Sequence, residues 1–415
     1  MTTYLPLLIL FVVLLLIAAR RLGRLRVRIW QAMTFGALAV LLTGGISPLD
    51  ALQAIHPDVM LFLFGVFVVG RALVQSGCLY TLSDHVLGRA RTADGLLLLI
   101  LFGGGFASAL LMNDTLAIVG TPLVLALARE HGLPPKLLLL TLAFAITTGS
   151  VASPIGNPQN LLIAGQGGIE NPFVDFLWYL GLPTLLALAA AYGILKLLHR
   201  RDLHARPLVH RRVEHADRQL ALLARIALIV LLVMVMLKIA LVVLRLPFTL
   251  PLSAIALAAA APLLLFSRER VKLLKGVEWT TLLFFAAMFV LMAAVWNTGV
   301  LQKGIDGMAL DLAGLPSLFA IGIGLSQLIS NVPLVALYLP VLEHAGAGTP
   351  ALMALAAAST IAGNLFIIGA ASNVIIVESA ERQGETLTFI DFARIGVPLT
   401  IVQAGIYYVF FSWIG

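Results

Sequence analysis

The sequence predicts an all-α polytopic membrane protein built from two inverted-topology repeats, with about ten transmembrane helices, two re-entrant hairpins and two broken helices. Three observations lead there. Of 415 residues, 60% are hydrophobic and 11% charged, and the mean hydropathy is +1.03, far outside the soluble globular range. An unusual pair of words then occurs twice. Asn113 opens NDTLAIVGTP and Asn331 opens NVPLVALYLP, with Pro122 and Pro340 in the same column; downstream, Ile155 opens IGNPQNLLI and Ile368 opens IGAASNVII. Finally, matching loops carry opposite charge. Residues 47–58 hold only Asp50 and Asp58, whereas their counterpart 267–275 holds Arg268, Glu269, Arg270, Lys272 and Lys275. Like sequence with reversed loop charge means reversed orientation.

Taken in order, the first apolar run, 4–20, has no basic stretch before it and is followed by Arg20, Arg21, Arg24, Arg26 and Arg28. A cleaved signal peptide shows the opposite order, so this run is expected to be a helix with its N-terminus outside. Runs 29–45 and 58–76 follow. The next apolar segment, 95–130, is interrupted by Asn113-Asp114 and flanked by Arg89, Arg91, Arg129 and Lys136, as a hairpin entering from the cytoplasm requires. Runs 136–167 and 174–198 close the first repeat, 1–198. The polar stretch 199–218 is a cytoplasmic linker; its His199, His204, His210 and His215 do not have the spacing of helical metal pairs. The second repeat, 219–415, contains runs 226–245, 249–266 and 279–298, a hairpin at 316–345 entering from outside, and runs 350–380 and 389–413, which leaves the C-terminus outside. Phe67 and Gly77 answer Phe289 and Gly299, and FVDF at Phe173 answers FIDF at Phe389.

The net charge of +7 sits in short loops beside apolar runs, which suits an inner-leaflet flank and argues against nucleic acid. A single cysteine, Cys78, permits no internal disulfide, and no Cys/His cluster suggests a metal or cofactor. No G-x-x-x-x-G-K-[ST] word occurs, so the chain is not expected to hydrolyse ATP through a P-loop of its own. Lys238 and Arg71 are close enough to helix ends to snorkel, and Asp175 and Asp391 complement helix N-termini.

The chemistry concentrates where helices break. At the hairpin tips, Asn113 and Thr115 in one copy and Ser330 and Asn331 in the other present side chains and unpaired N–H groups to an oxygen-rich solute. Asp114 faces Val332 in the other copy. A lone carboxylate near the midplane suits a coupling residue that takes up a proton or Na⁺ on one side and releases it on the other; capping is the alternative. Pro154, Gly156 and Pro158 make a continuous helix through 153–160 untenable, so freed carbonyls and a helix N-terminus meet beside Asn157, Gln159 and Asn160. Gly369, Ser372 and Asn373 do the same in the second repeat. Thr360 and Asn364, just before, fit either the site or helix packing.

The words LMNDTLAIVGTPLVLAL, GSVASPIGNPQNLLIA, LISNVPLVALYLP and GNLFIIGAASNVIIVE resemble the ion transporter superfamily, which includes arsenite efflux permeases, NhaD-type sodium/proton antiporters and divalent anion/sodium symporters. The Asn-Asp tip is more similar to the arsenite and NhaD-like branches than to the Ser-Asn-Thr tips of dicarboxylate symporters. The resemblance implies two hairpins facing two broken helices, with Asn113, Asp114 and the 156–160 loop as one half of a solute site. Asn331 and the 369–373 loop would be the other half. It implies proton-coupled efflux of arsenite or antimonite across the inner membrane. The alternatives are a sodium- or proton-coupled anion permease, a sodium/proton antiporter, and a facilitator driven by an ATPase partner. The expected partners are the small solute, a coupling H⁺ or Na⁺, and membrane lipids.

Overall fold

A computed structural model describes residues 4–19, 28–78, 92–200, 218–244, 250–300 and 311–414 with a few isolated positions between them. Two runs of nine helices follow one another among the described residues. The first comprises α1 (Leu5–Ala19), α2 (Ile29–Leu42), α3 (Pro48–Ala54), α4 (Pro57–Gln75), α5 (Ala93–Leu110), α6 (Asn113–His131), α7 (Pro135–Gly149), α8 (Pro158–Gln166) and α9 (Pro172–Leu198). The second comprises α10 (Arg218–Val243), α11 (Leu252–Phe266), α12 (Arg270–Lys275), α13 (Trp279–Trp296), α14 (Leu315–Ile329), α15 (Asn331–His344), α16 (Thr349–Ile361), α17 (Ala371–Glu381) and α18 (Phe389–Ile414). The only strands among the described residues are a two-residue antiparallel ladder, Arg21–Leu22 with Leu25–Arg26. The chain is an integral, multi-pass helical protein.

Seven described helical segments are long and apolar enough to cross a bilayer unaided. Helices α1, α2 and α11, counted as spans in the sequence, have 15, 14 and 15 residues. At about 1.5 Å per residue they reach only some three-quarters of the hydrocarbon thickness.

The breaks have local causes. Prolines occupy the first turn of α3, α4, α7, α8, α9, α14 and α16, where a missing N–H costs nothing. Helix α5 stops at Leu110 and α6 restarts at Asn113, while α14 and α15 are separated by Ser330 alone, at φ 74°. After α7 comes a 3₁₀ turn, Ser150–Ala152, and Pro158 then starts α8. Residues 158–160 of the expected loop are therefore already helical, because proline pre-sets the first helical turn and Asn157 caps it by accepting from the Asn160 N–H at 2.9 Å. In the second half the irregular stretch is 362–370, two 3₁₀ turns, and Ala371 to Asn373 form the first turn of α17. The loop expected at 369–373 thus lies several residues earlier, drawn there by Gly363, whose carbonyl is taken by Asn373 Nδ2 at 2.6 Å.

Packing crosses between the halves, and the most extensive crossings have exchanged counterparts. Helix α4 lies on α11 and α2 on α13; α6 lies on α17 and α8 on α15; α9 and α18 pack on each other. The base of the first hairpin is tied down by Lys136 Nζ to Asp391 (2.7 Å), Lys196 Nζ to Asp94 (2.9 Å), and Arg129, which donates to the Gln383 carbonyl at 3.2 Å. All three are exposed and each adds at most about 1 kcal/mol.

Backbones meet where glycine permits. A Cβ at Gly65 would lie 2.7 Å from the Ala256 carbonyl, and one at Gly149 would overlap the Gly105 backbone. Gly149→Ala is expected to destabilise the fold by about 1–3 kcal/mol through overpacking. Gly193→Ala, with nothing within 4 Å of the new methyl, should leave stability unchanged or slightly higher. Thermal unfolding in detergent compares the two.

Candidate functional site

Around the first break, polar side chains satisfy one another. Asn160 Nδ2 donates to the carbonyls of Ser150 (3.0 Å), Val151 (3.2 Å) and Ser153 (3.0 Å), which helix interruption would otherwise leave orphaned in an apolar core. Asn157 Nδ2 donates to Ser150 Oγ at 3.0 Å. Both carboxamides and that of Gln159 then meet Thr360, from the other half of the chain. Asn157 Nδ2 and Gln159 Nε2 donate to Thr360 Oγ1 at 3.3 and 3.4 Å, and the Thr360 hydroxyl donates to Asn160 Oδ1 at 3.3 Å. The Asn113 N–H donates to the Gly156 carbonyl at 3.0 Å, docking the first hairpin tip on this break.

The second break repeats part of this pattern. Asn373 stands in the column of Asn160, and Gly363 in that of Ser150, so the Asn373 bond to the Gly363 carbonyl matches the Asn160 bond to the Ser150 carbonyl. The remainder is open. Thr147 Oγ1, Asn331 Oδ1, Ser372 Oγ and Asn373 Oδ1 have no hydrogen-bond partner among the described residues, although none of these residues is more than 5% exposed. Three of these residues border Gly363: a Cβ there would lie 3.1 Å from Thr147 Cγ2 and 3.6 Å from Asn331 Nδ2, and Asn373 Nδ2 donates to its carbonyl. Two helix N-termini, those of α15 and α17, add unpaired N–H groups. Gly369 packs on Gln327, whose Nε2 donates to the Ala362 carbonyl at 2.7 Å, and Ser330 makes the turn itself.

Asp114 and Thr115 point elsewhere. They line a cavity of about 520 Å³ with Arg71, Glu278, Glu378 and Arg382 among its other walls. No cation lies within ion-pair distance of Asp114 among the described residues. Asn113, its neighbour, is buried against the first break instead, with Oδ1 unpartnered among the described residues. Ala371, the first residue of α17, also lines the cavity, whereas Ser372 and Asn373 after it are buried and do not.

Several of these groups do not stand out in the sequence. Arg71 reads as a snorkelling residue, yet it faces the cavity, and Glu278 and Arg382 come from distant segments. Thr147 had a signal: it aligns with Thr360 in the repeat. Gln403 had none. Buried in α18, it donates to Thr148 Oγ1 (2.9 Å) and accepts from Asn364 Nδ2 (2.8 Å), while Asn364 Nδ2 also donates to Thr148 Oγ1 at 3.0 Å. It thereby ties the end of α7 to the second break.

Comparison with known proteins is decisive at the level of family. The model of the CitMHS citrate transporter family matches residues 11–351, a stretch that contains both hairpins and the first break. The chain belongs to this family. A full-length relative, the uncharacterized transporter Rv2685 of Mycobacterium tuberculosis, is 29% identical over 408 residues, covering 94% of this chain and 93% of its own. The silicon efflux transporter LSI3 of Oryza sativa subsp. japonica is 29% identical over 445 residues, covering 89% and 90%. The fold is that of the Alcanivorax borkumensis YdaH transporter, matched at a TM-score of 0.62 and 18% identity over 100% of this chain and 98% of that one. Like its CitMHS relatives, this protein is a membrane transporter and not an enzyme.

Gln403→Leu removes the partner that Thr148 and Asn364 share in a dry core, and is expected to cost about 1–3 kcal/mol of stability. A thiol-reactive dye reporting exposure of buried Cys78 during thermal unfolding measures the loss.

Proposed function

We propose that this CitMHS transporter exports a small uncharged hydroxy acid, arsenite as As(OH)₃ or its antimony analogue, from the cytoplasm across the inner membrane in exchange for protons. The observation that carries the reading is the set of buried, unpartnered oxygens on Thr147, Asn331, Ser372 and Asn373, which is neutral and rich in acceptors. Amide oxygens favour ligands that donate hydrogen bonds, and hydroxyls and helix N–H groups supply the complementary donors. An uncharged X–OH species meets both demands and brings no charge into the bilayer. The silicon efflux named for the rice relative is of the same chemical kind, since silicic acid is also a small uncharged hydroxy acid near neutral pH.

Asp114 supplies the coupling. Its residue sits at the hairpin tip and lines the cavity, which Ala371 at the start of α17 also lines. The cavity also includes Gly276 and Glu278, directly after basic α12, and by the positive-inside rule its mouth faces the cytoplasm. Loss of a proton to the cytoplasm leaves the carboxylate able to accept a hydrogen bond from a solute hydroxyl entering through the cavity it lines. Reprotonation from outside releases the cargo there and returns the tip without charge. The two inverted halves then provide the alternating exposure.

A second reading is an anion permease. It is favoured by the citrate in the family's description and by Arg71 and Arg382 on the cavity wall, neither in an ion pair among the described residues. Its mark would be Na⁺- or H⁺-stimulated citrate or phosphate uptake that Arg71→Gln weakens.

Cells expressing the protein should gain resistance to arsenite or antimonite, and everted vesicles should accumulate arsenite when a pH gradient is imposed. Absence of both effects defeats the hydroxy-acid reading. In the same vesicles Asp114→Asn is expected to reduce gradient-driven accumulation to the level of vesicles lacking the protein, while purified protein remains folded. Undiminished accumulation removes Asp114 from the coupling.

A further inference from the structure

The two breaks are built alike but finished differently. In the first, three carboxamides converge on one hydroxyl, with Asn157 Nδ2, Gln159 Nε2 and Asn160 Oδ1 all within 3.3–3.4 Å of Thr360 Oγ1. Two donors and one acceptor around an O–H group saturate it, and that is the arrangement a binding site would need to hold an X–OH group of a solute. In the second, the residue in the column of Thr360 is Thr147, and the residue in the column of Asn160 is Asn373. Neither Thr147 Oγ1 nor Asn373 Oδ1 has a partner among the described residues, and Ser372 Oγ and Asn331 Oδ1 have none either. All four residues are more than nine-tenths buried.

We propose that Thr360 is a built-in surrogate ligand. Its hydroxyl occupies a hydroxyl-recognising half-site at the first break, so that only the matching half-site at Thr147, Asn331, Ser372 and Asn373 takes a solute, one molecule per chain. This rests on the hydroxy-acid reading above and adds the stoichiometry and the residue that sets it. The asymmetry has a physical reason. A fully buried carboxamide without a partner carries an uncompensated desolvation cost, so a half-site that never meets solute is held closed by the protein itself. The one that does meet solute keeps its polar atoms free for it.

The two halves also make the assignment testable by exchange. Removing the Thr360 hydroxyl uncovers the Asn157, Gln159 and Asn160 carboxamides and creates a second site of the same chemistry. Removing the Thr147 hydroxyl takes one hydrogen bond from the working site.

The experiment is titration of purified protein with arsenite at neutral pH, read by calorimetry. The wild-type chain should bind one equivalent, Thr360→Ser should also bind one, and Thr360→Ala should bind two. Thr147→Ala should bind one equivalent about tenfold more weakly, the loss of one buried hydrogen bond. One equivalent in a folded Thr360→Ala chain overturns the surrogate role and leaves the hydroxy-acid reading standing. If Thr360→Ala does not fold, Thr147→Ala decides: affinity equal to wild type overturns the proposal. No binding to the wild-type chain removes the hydroxy-acid reading and this inference with it.

Discussion

Everything in this molecule follows from the need to satisfy interrupted backbone in a place without water. A helix that stops within a bilayer leaves carbonyls and N–H groups that cost several kcal/mol each unless something pairs with them. Asn160 does this for the first break, with one amide nitrogen shared among the carbonyls of Ser150, Val151 and Ser153. Asn373 does it for the second by way of Gly363. The irregular stretches can exist because these side chains are there, and the hairpin tips, the cavity and the unpartnered oxygens are all arranged around them.

The halves are interlocked rather than adjacent. Each hairpin's second arm rests on the far segment of the other half's broken helix, α6 on α17 and α15 on α8. Thr360 reaches into the first break, and Thr148 is tied through Asn364 and Gln403 to the second. Each break is therefore completed by residues from the other half.

Much of this was legible in the chain because the informative residues are conspicuous in apolar surroundings. Asn113, Asn331 and the prolines of SPIGNP announce helix ends, and helices do end beside them. The second break was harder. It contains no proline, so sequence alignment carried the 369–373 window across, whereas Gly363 and the Asn373 bond move the irregular stretch to 362–370. Residues whose role depends on what lies across an interface left little trace. Gln403 is one polar residue in a long apolar helix, and nothing local tells that Thr148 and Asn364 converge on it. Arg71 has the position of a snorkelling residue and becomes a cavity wall only when α17 is brought opposite.

The contact of Gly149 with Gly105 bears on how the structure can change shape. Main chain lies on main chain there, with no side-chain layer to deform, so α5 and α7 form a joint without slack. Leverage applied to the first hairpin is shared at once by the helix that leads into the first break. Compliance has to reside elsewhere, on surfaces where flexible side chains separate the backbones. The first hairpin and the helix that leads into the first break are therefore rigidly joined at that contact.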